Sequence, residues 1–333
     1  MKTLTIVPGN STIVPSSTKK LIYAKLPSAE FNGSFGSIKQ ARVDAIAMRI
    51  LKKEDWFHSD GFPICVTRRD PQHPFGLHAH DFSEIVLVTG GAGLHVTGED
   101  SWPLRVGDVF VIGSDRPHDY LNMDDLSLIN VMFDPKSLSL RLHDLHTLPG
   151  YHALFHLEPA WRKRHKFDSR LQLGASEMEL ATRFVDCLDT ELESRCPGFR
   201  FLAVAAFMSL VGHLSRCYGR HRNAATSSLL DIAETISYLE RNFTEPIQLD
   251  YLVEISGMSR RSFLRAFESV MGCSPISHLI RLRIDQACEL LRTTEQSVTE
   301  IAMQTGFNDS NYFSRQFRRQ MNCTPRQYRS RAQ

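Results

Sequence analysis

The chain has 333 residues, of which 42% are apolar and 23% are charged, and its formal net charge at pH 7 is +2. This length and composition predict two or three globular domains, and they exclude a wholly disordered chain and a uniformly basic protein of the histone type. The longest apolar run, residues 201–211, is about half the length of a bilayer span, and the first 25 residues lack a signal-peptide core, so we expect a cytoplasmic protein with no membrane partner.

Residues 1–47 contain turn-forming pairs and little apolar periodicity. Two interpretations of this N-terminal extension stay open: a mobile, disordered arm, or a gene start placed upstream of the true one. From about residue 63 to residue 134, short β-branched or apolar runs alternate with glycine-containing turns, one of them at residues 90–93. This alternation predicts an antiparallel β-sandwich or barrel, which we assign to residues 48–150.

After residue 150 the pattern becomes helical. Leu180, Phe184, Leu188 and Leu192 recur every four residues, as on an amphipathic helix, and a more apolar helix is predicted after Pro197. So much apolar helical surface favours a dimer interface within residues 151–222, and simple packing against the sheet is an equally open alternative. Residues 219–228 are small and polar, which is typical of a linker.

Residues 231–329 contain an internal repeat. Five residues of the first unit recur in the second with nearly the same spacing: Leu249, Gly257, Phe263, Phe267 and Pro275 match Val298, Gly306, Phe313, Phe317 and Pro325. Each unit predicts a short helix, a turn with glycine and a second helix, which is a helix-turn-helix motif at about residues 248–269 and 296–319. A long helix, roughly residues 276–291, is expected to hold the two units about one DNA turn apart.

The second helices of both units are rich in hydrogen-bond donors. The candidate DNA-binding residues are Arg260, Arg261 and Arg265 in the first, and Ser310, Asn311, Arg315, Arg318 and Arg319 in the second. From residue 259 to the end there are 12 arginines, no lysines and 6 acids. Arginine reads guanine, asparagine reads adenine, and the guanidinium fork suits phosphate, so this composition predicts binding to double-stranded promoter DNA.

The C-terminal region resembles the DNA-binding domain of the AraC/XylS family of bacterial transcription regulators. The resemblance rests on residues 299–302, 306–314, 317–319 and 324–329, and it covers about 100 residues. The resemblance implies two recognition helices set in successive major grooves. Because most members of the family are activators, it also implies an activator. In activators of this family, acids near the second unit contact the sigma subunit of RNA polymerase. The matching positions are Glu300 and Asp309, and a plain helix cap is an equally open role for Asp309.

The N-terminal region resembles the two cupin motifs. His78, His80 and Glu84 fit the first motif, and His118 fits the second, although Gly113 and Asp115 replace its usual proline and glycine. The same stretch resembles the sensor domains of the rhamnose-operon regulators, which implies a small polar, sugar-like effector. Three interpretations of these four residues stay open: an effector pocket, a site for a divalent transition metal such as Fe, Mn, Ni or Zn, and a structural remnant. Phe82, Trp102 and Tyr120 are candidates for the aromatic face of a sugar site.

Together these patterns predict an α+β multidomain protein. It comprises a cupin-like antiparallel β-barrel, a helical linker or dimerisation segment, and an all-α domain with two helix-turn-helix motifs. We expect a homodimeric DNA-binding regulator that acts as an activator and responds to a sugar-like metabolite. We do not expect an enzyme. No cofactor is certain. The alternative is a metal-dependent cupin enzyme or a metal sensor, for which the histidine cluster is the only support.

Overall fold

The computed structural model describes residues 48–98, 100–138, 144–161, 171–220 and 227–332. The predicted N-terminal extension, residues 1–47, and most of the predicted linker, residues 221–226, lie outside the described residues. The described part contains an antiparallel sheet domain followed by a helical domain with two helix-turn-helix motifs. The predicted α+β fold is therefore confirmed.

The N-terminal half is built on β-strands. They are β1 (Arg49–Leu51), β2 (Ile64–Arg69), β3 (His78–His80), β4 (Ser83–Thr97), β5 (Asp100–Arg105), β6 (Asp108–Ile112), β7 (Asp119–Phe133) and β8 (Leu171–Gln172). The main sheet has the order β2-β7-β4-β6-β8, with β5 paired to β4, and all of its described pairs are antiparallel. β1 and β3 form a separate parallel pair, and a bridge between His78 and His118 connects β3 to the segment before β7.

The expected break at residues 90–93 is wrong. These residues lie inside β4, a single strand of 15 residues that pairs with β7 along most of its length. The ladder shifts register three times between Val88 and Leu94, as β-bulges do. Glycines therefore mark irregularities inside one long strand here, and the two predicted strands at residues 84–88 and 94–96 are one.

The helices occupy the remainder of the described chain. They are α1 (Lys53–Trp56), α2 (Pro149–Tyr151), α3 (Glu158–Trp161), α4 (Ala175–Ser194), α5 (Phe199–Arg220), α6 (Ser227–Asn242), α7 (Leu249–Ile255), α8 (Arg260–Met271), α9 (Pro275–Thr293), α10 (Val298–Gln304), α11 (Ser310–Met321) and α12 (Pro325–Ala332). A 3₁₀ turn, Leu145–Thr147, precedes α2, and a π-helical segment, His152–Leu157, joins α2 to α3. The first helix-turn-helix unit consists of α7 and α8, and the second consists of α10 and α11.

The two units are built alike because their capping residues are alike in function. α8 and α11 each have 12 residues. The Ser259 hydroxyl accepts a hydrogen bond from the backbone N–H of Ser262, and the Asp309 carboxylate accepts one from the backbone N–H of Asn311. Such caps satisfy backbone donors that a helix start leaves unpaired. α9 connects the units and begins at Pro275, a residue suited to the first turn of a helix.

The two helix-turn-helix units pack into different apolar cores. One continuous core extends from the main sheet through α4, α5 and α6 into the first unit, where it includes Phe263 and Phe267. The second unit has a separate core, formed by residues of α9, α10 and α11 that include Phe313 and Phe317. The first unit therefore shares its core with the N-terminal half of the chain, and the second unit has a core of its own.

α5 is the one helix of the described chain that is long and apolar enough to cross a membrane. Its Phe207, Leu210 and Val211 are fully buried in the continuous core. A core helix of this length and composition passes the same test, and the packing identifies α5 as such a helix. Its start is different, because Phe201 is 77% exposed and Leu202 is 47% exposed.

Candidate DNA-binding surface and effector pocket

The second helix of each helix-turn-helix unit buries one face and exposes the other. Phe263 and Phe267 of α8, and Phe313 and Phe317 of α11, are fully buried. The predicted donors are all exposed except for Ser310, which is half-buried: Arg260, Arg261, Arg265, Ser310, Asn311, Arg315, Arg318 and Arg319. Because the phenylalanines fix the rotation of each helix, the donors of each helix project together into solvent.

Two arginines of this surface have partners inside the protein. The Arg260 guanidinium forms an ion pair with the Asp250 carboxylate, which links the start of α8 to α7. The Arg315 guanidinium lies 5.8 Å from the ring centre of Tyr312, one turn earlier in α11. A cation over an aromatic face loses part of its rotational freedom, so the Arg315 side chain is partly positioned in advance of any contact with a ligand.

Alignment of the two units reveals a difference in charge between the outward faces of α8 and α11, which the list of predicted donors did not reveal. Fifty residues separate Phe263 from Phe313, and the same offset places Glu268 of α8 where α11 has Arg318. Both side chains are exposed. The outward face of α8 is therefore less positive than that of α11, and the aligned repeat is the sequence signal that reveals it.

The predicted polymerase-contacting acids are both exposed, and both take part in helix caps. The Glu300 carboxylate accepts a hydrogen bond of 2.7 Å from the backbone N–H of Ser297, and the Ser297 hydroxyl accepts one of 3.2 Å from the backbone N–H of Glu300. These hydrogen bonds with Ser297 lower the pKa of Glu300. The Asp309 carboxylate accepts a 2.8 Å hydrogen bond from the backbone N–H of Asn311. The capping role of Asp309 is therefore present in the structure.

Two substitutions at Asp309 separate its cap from its charge. Asp309→Ala is expected to lower the free energy of unfolding by about 1 kcal/mol, because it leaves a donor of the first turn unpaired. Asp309→Asn retains an acceptor oxygen and is expected to change stability little. Urea denaturation measures both effects. Equal losses of stability in the two variants would contradict the capping role.

A cavity, open to solvent at its mouth, is lined by both the β1–β3 pair and the main sheet. All four predicted residues, His78, His80, Glu84 and His118, line it. Its other polar lining residues are Thr67, Arg69, Gln72 and Asn130, and its aromatic ones are Trp56, Phe75, Phe82 and Tyr120. Trp102 does not line this cavity, so that part of the expected aromatic face is wrong.

The four predicted residues form one buried cluster at the floor of the cavity. Each is less than 9% exposed. The Nε2 atom of His80 lies 3.4 Å from Oε2 of Glu84, and the Nε2 atom of His118 lies 3.8 Å from the same oxygen. The ring centres of His78 and His118 are 4.2 Å apart. β3, the start of β4 and the residue before β7 thus bring together side chains that are up to 40 positions apart in sequence.

The backbone determines which ring nitrogen of each histidine is free to accept. The Nδ1 atoms of His78, His80 and His118 lie 2.8, 2.6 and 3.0 Å from the carbonyl oxygens of Gly76, Phe82 and Arg116 respectively. A carbonyl oxygen can only accept, so Nδ1 donates in each ring. In a neutral ring, Nε2 then has the lone pair. Histidines that bind metals are held in this way by their second nitrogen.

The cluster combines an ionised carboxylate with the weakly basic imidazoles of His78 and His118. Burial lowers the pKa of His118 to about 4, and burial also lowers the pKa of His78. Burial alone would raise the pKa of Glu84, but its contact with His80 and the neighbouring imidazoles outweigh burial and hold the pKa below its usual value. Near pH 7 the cavity floor therefore presents the Glu84 carboxylate and the Nε2 lone pairs of His78 and His118, all of which are acceptors.

Ligand atoms of His80, Glu84 and His118 lie within 4.8 Å of one another. Two imidazoles and one carboxylate are a donor set that suits divalent iron and similar transition metals. The residues present therefore fit a metal, and the same acceptors also fit the hydroxyl groups of a sugar. Trp56, Phe75 and Arg69 were not predicted, because they come from segments without a motif and reach the cavity only through strand pairing.

Two family models match this chain. Residues 63–193 match an AraC-like ligand binding domain, and residues 252–331 match a helix-turn-helix domain. The chain is 33% identical to the HTH-type transcriptional activator RhaR of Klebsiella pneumoniae, over 85% of this chain and 97% of that protein. It is 32% identical to the activator RhaR of Escherichia coli K12, over 84% of this chain and 95% of that protein. The activator RhaR of Salmonella heidelberg is 34% identical over 84% of this chain and 96% of its own length.

Proposed function

Because the chain belongs to the AraC family of DNA-binding transcription activators, we propose that α8 and α11 read promoter DNA under the control of an effector bound in the cavity. The observation that carries this proposal is the repeated unit, with buried phenylalanines on one face of each second helix and exposed donors on the other. The sensor half supplies the ligand-binding domain of the family. Like its relatives, the protein is a regulator and not an enzyme.

The N-terminal halves of α8 and α11 are the parts that enter two successive major grooves. In helix-turn-helix proteins the first turns of the recognition helix contact base edges. Arg261 and Arg265, and Asn311 and Arg315, are four residues apart, so each pair faces one groove. Arg318 and Arg319 lie further along α11, where the phosphate backbone is the nearer partner.

The effector is a small polar metabolite of the sugar type. The Asn130 side-chain oxygen supports this assignment, because it is buried, belongs to a residue that lines the cavity, and accepts no hydrogen bond from the described residues. A buried acceptor without a donor is costly, and a ligand hydroxyl would satisfy it. Trp56 and Phe75 offer the aromatic face on which a sugar ring packs.

A metal-dependent sensor is the second candidate, and the histidine orientations favour it. His80, Glu84 and His118 would hold the ion, with His78 as a further ligand beside them. A bound divalent ion would supply a Lewis acid to which an effector oxygen could coordinate. The residues of the chain contribute the orientation of the lone pairs through the carbonyl oxygens of residues 76, 82 and 116.

Two macromolecular partners are proposed beyond DNA. The exposed Phe201 and Leu202 at the start of α5 form an apolar surface suited to a homodimer contact. Glu300 and Asp309 are exposed acids beside the second unit, which suits a contact with the sigma subunit of RNA polymerase. The site of action is the cytoplasm, where promoter DNA lies, and no membrane partner is involved.

His80→Ala tests the link between cavity and DNA. The variant is expected to retain DNA affinity without effector and to lose the response to effector, because His80 is buried in the cavity and far in sequence from both recognition helices. The measurement is operator binding by fluorescence anisotropy, with and without the sugar that most stabilises the wild-type protein in a thermal-shift screen. Elemental analysis of both proteins measures their metal content. A response that survives in His80→Ala would place the effector elsewhere.

A further inference from the structure

Two arginines, Arg49 and Arg69, lie over the rings of an aromatic pair, Phe75 and Trp56, at the cavity. Trp56 and Phe75 line the cavity, and their ring centres are 6.4 Å apart in an edge-to-face arrangement. The Arg69 guanidinium lies 5.9 Å from the ring centre of Trp56, and the Arg49 guanidinium lies 5.0 Å from that of Phe75. Arg69 also lines the cavity, whereas Arg49 flanks it from β1.

Neither arginine has a carboxylate within 4.0 Å in the part of the chain that the structure describes, and their neighbours do. Arg68, the residue before Arg69, projects from the other face of β2 and pairs with Asp186 at 2.7 Å and with Asp189 at 3.1 Å. Near Arg49, Lys53 pairs with Asp134 at 2.7 Å. Arg69 is half-buried and Arg49 is exposed. A half-buried guanidinium in a cleft, such as that of Arg69, stacked on an aromatic ring and without a carboxylate partner, is typical of a site that receives an anion.

The floor of the cavity has the opposite character. Glu84 and the Asn130 side-chain oxygen are acceptors, and the Asn130 oxygen receives no hydrogen bond from the described residues. Phe75 connects the two ends, since its ring centre is 4.7 Å from that of His78. A ligand that satisfies both ends has hydroxyl donors at one end and an anionic group at the other.

We propose that the effector is a small hydroxylated carboxylic acid, such as an aldonic or uronic acid, whose carboxylate pairs with Arg69, the arginine that lines the cavity. This inference rests on the proposed effector role of the cavity and specifies its ligand class. A neutral sugar would satisfy the floor and leave the Arg69 guanidinium without a carboxylate partner. Arg69 therefore selects the acid over the sugar of the same carbon skeleton.

The test compares sugars with their acids: D-galactose with D-galacturonate, D-glucose with D-gluconate, and L-rhamnose with L-rhamnonate. Isothermal titration with the full-length wild-type protein measures each affinity. For at least one pair, we expect the acid to bind roughly 10- to 100-fold more tightly than the neutral sugar, as charge-assisted hydrogen bonds imply. The preference is expected to weaken as salt concentration rises.

Arg69→Gln and a matched control assign the preference to the cavity. Arg69→Gln is expected to bind the acid roughly 10-fold or more weakly, with its affinity for the neutral partner unchanged. Arg183→Gln changes an exposed arginine of α4, remote in sequence from the cavity, and is expected to bind like the wild-type protein. If Arg69→Gln weakens the acid and the neutral sugar equally, the arginine has only a structural role and the inference is wrong.

The outcomes separate this inference from the proposed function. Tighter binding of a neutral sugar than of its acid overturns the inference and leaves the cavity as the effector site. Acid binding that is equal in wild-type protein and Arg69→Gln overturns the inference as well. Absence of binding by every sugar and every acid overturns both the ligand class and the sugar-type effector. Acid binding that is lost in Arg69→Gln, with neutral-sugar binding unchanged in that variant and acid binding retained in Arg183→Gln, supports both.

Discussion

Gly306→Ala is expected to destabilise the second helix-turn-helix unit by roughly 2–5 kcal/mol. Gly306 has φ = +87°, where a side chain costs energy, and an added Cβ would lie 2.6 Å from the backbone oxygen of Thr244. That oxygen cannot move without moving the loop after α6. Guanidinium chloride denaturation measures the stability, and operator binding is expected to fall with it because α11 is placed by this turn.

Gly257→Ala is the matched control. Gly257 occupies the same place in the first unit and has φ = +61°, but an added Cβ would meet no atom within 4 Å. This substitution therefore introduces only the backbone cost, about 1–2 kcal/mol. A loss at Gly306 no larger than that at Gly257 would show that the contact with Thr244 relaxes freely, and would contradict the argument from close approach.

Arg315→Ala is expected to weaken specific operator binding by about 1–3 kcal/mol, which is roughly a 5- to 150-fold loss. Arg315 is exposed near the start of α11 and is held by its contact with Tyr312, so we expect it to read a base. The loss should be accompanied by relaxed preference at one operator position. Binding to a library of operator variants measures both the affinity and the preference.

Arg318→Ala provides the comparison. Arg318 lies near the end of α11, where we expect a phosphate contact, so its loss should weaken binding to all sequences equally. The dependence of affinity on salt should also become shallower, by about one unit of slope. If Arg315→Ala behaves in this way instead, Arg315 contacts phosphate and the base reader is another residue of α11.

The helical half could be predicted closely because its signals are local. Gly306, Phe313 and Phe317 occupy fixed offsets within a single unit, and the caps at Ser259 and Asp309 depend on residues two or three positions away. Such features depend on the periodicity of one helix and on its ends. The proximity of His78, His80, Glu84 and His118 was indicated by their motif, and the structure brings them together.

The sheet half was less predictable because its features arise from pairing between distant strands. Glycines at residues 90–93 indicate a turn when β4 is considered alone, but pairing with β7 incorporates them into a strand with bulges. Arg69 and Trp56 meet only because β2 and the segment after β1 lie on the same cavity. The histidine tautomers depend on backbone carbonyl directions, which residue types do not specify.

The continuous core from the main sheet into the first helix-turn-helix unit has a consequence for recombination. α6 contributes Ile232, Ile236 and Leu239 to that core. It therefore packs with the ligand-binding half as well as with the first helix-turn-helix unit. A chimaera that joins a foreign ligand-binding domain at residues 221–226 would pack that domain against an α6 whose apolar residues fit the original sheet, α4 and α5. A crossover within α9, between the two cores, would exchange only the second helix-turn-helix unit. Natural exchange of domains at the first position would therefore need compensating changes in α6.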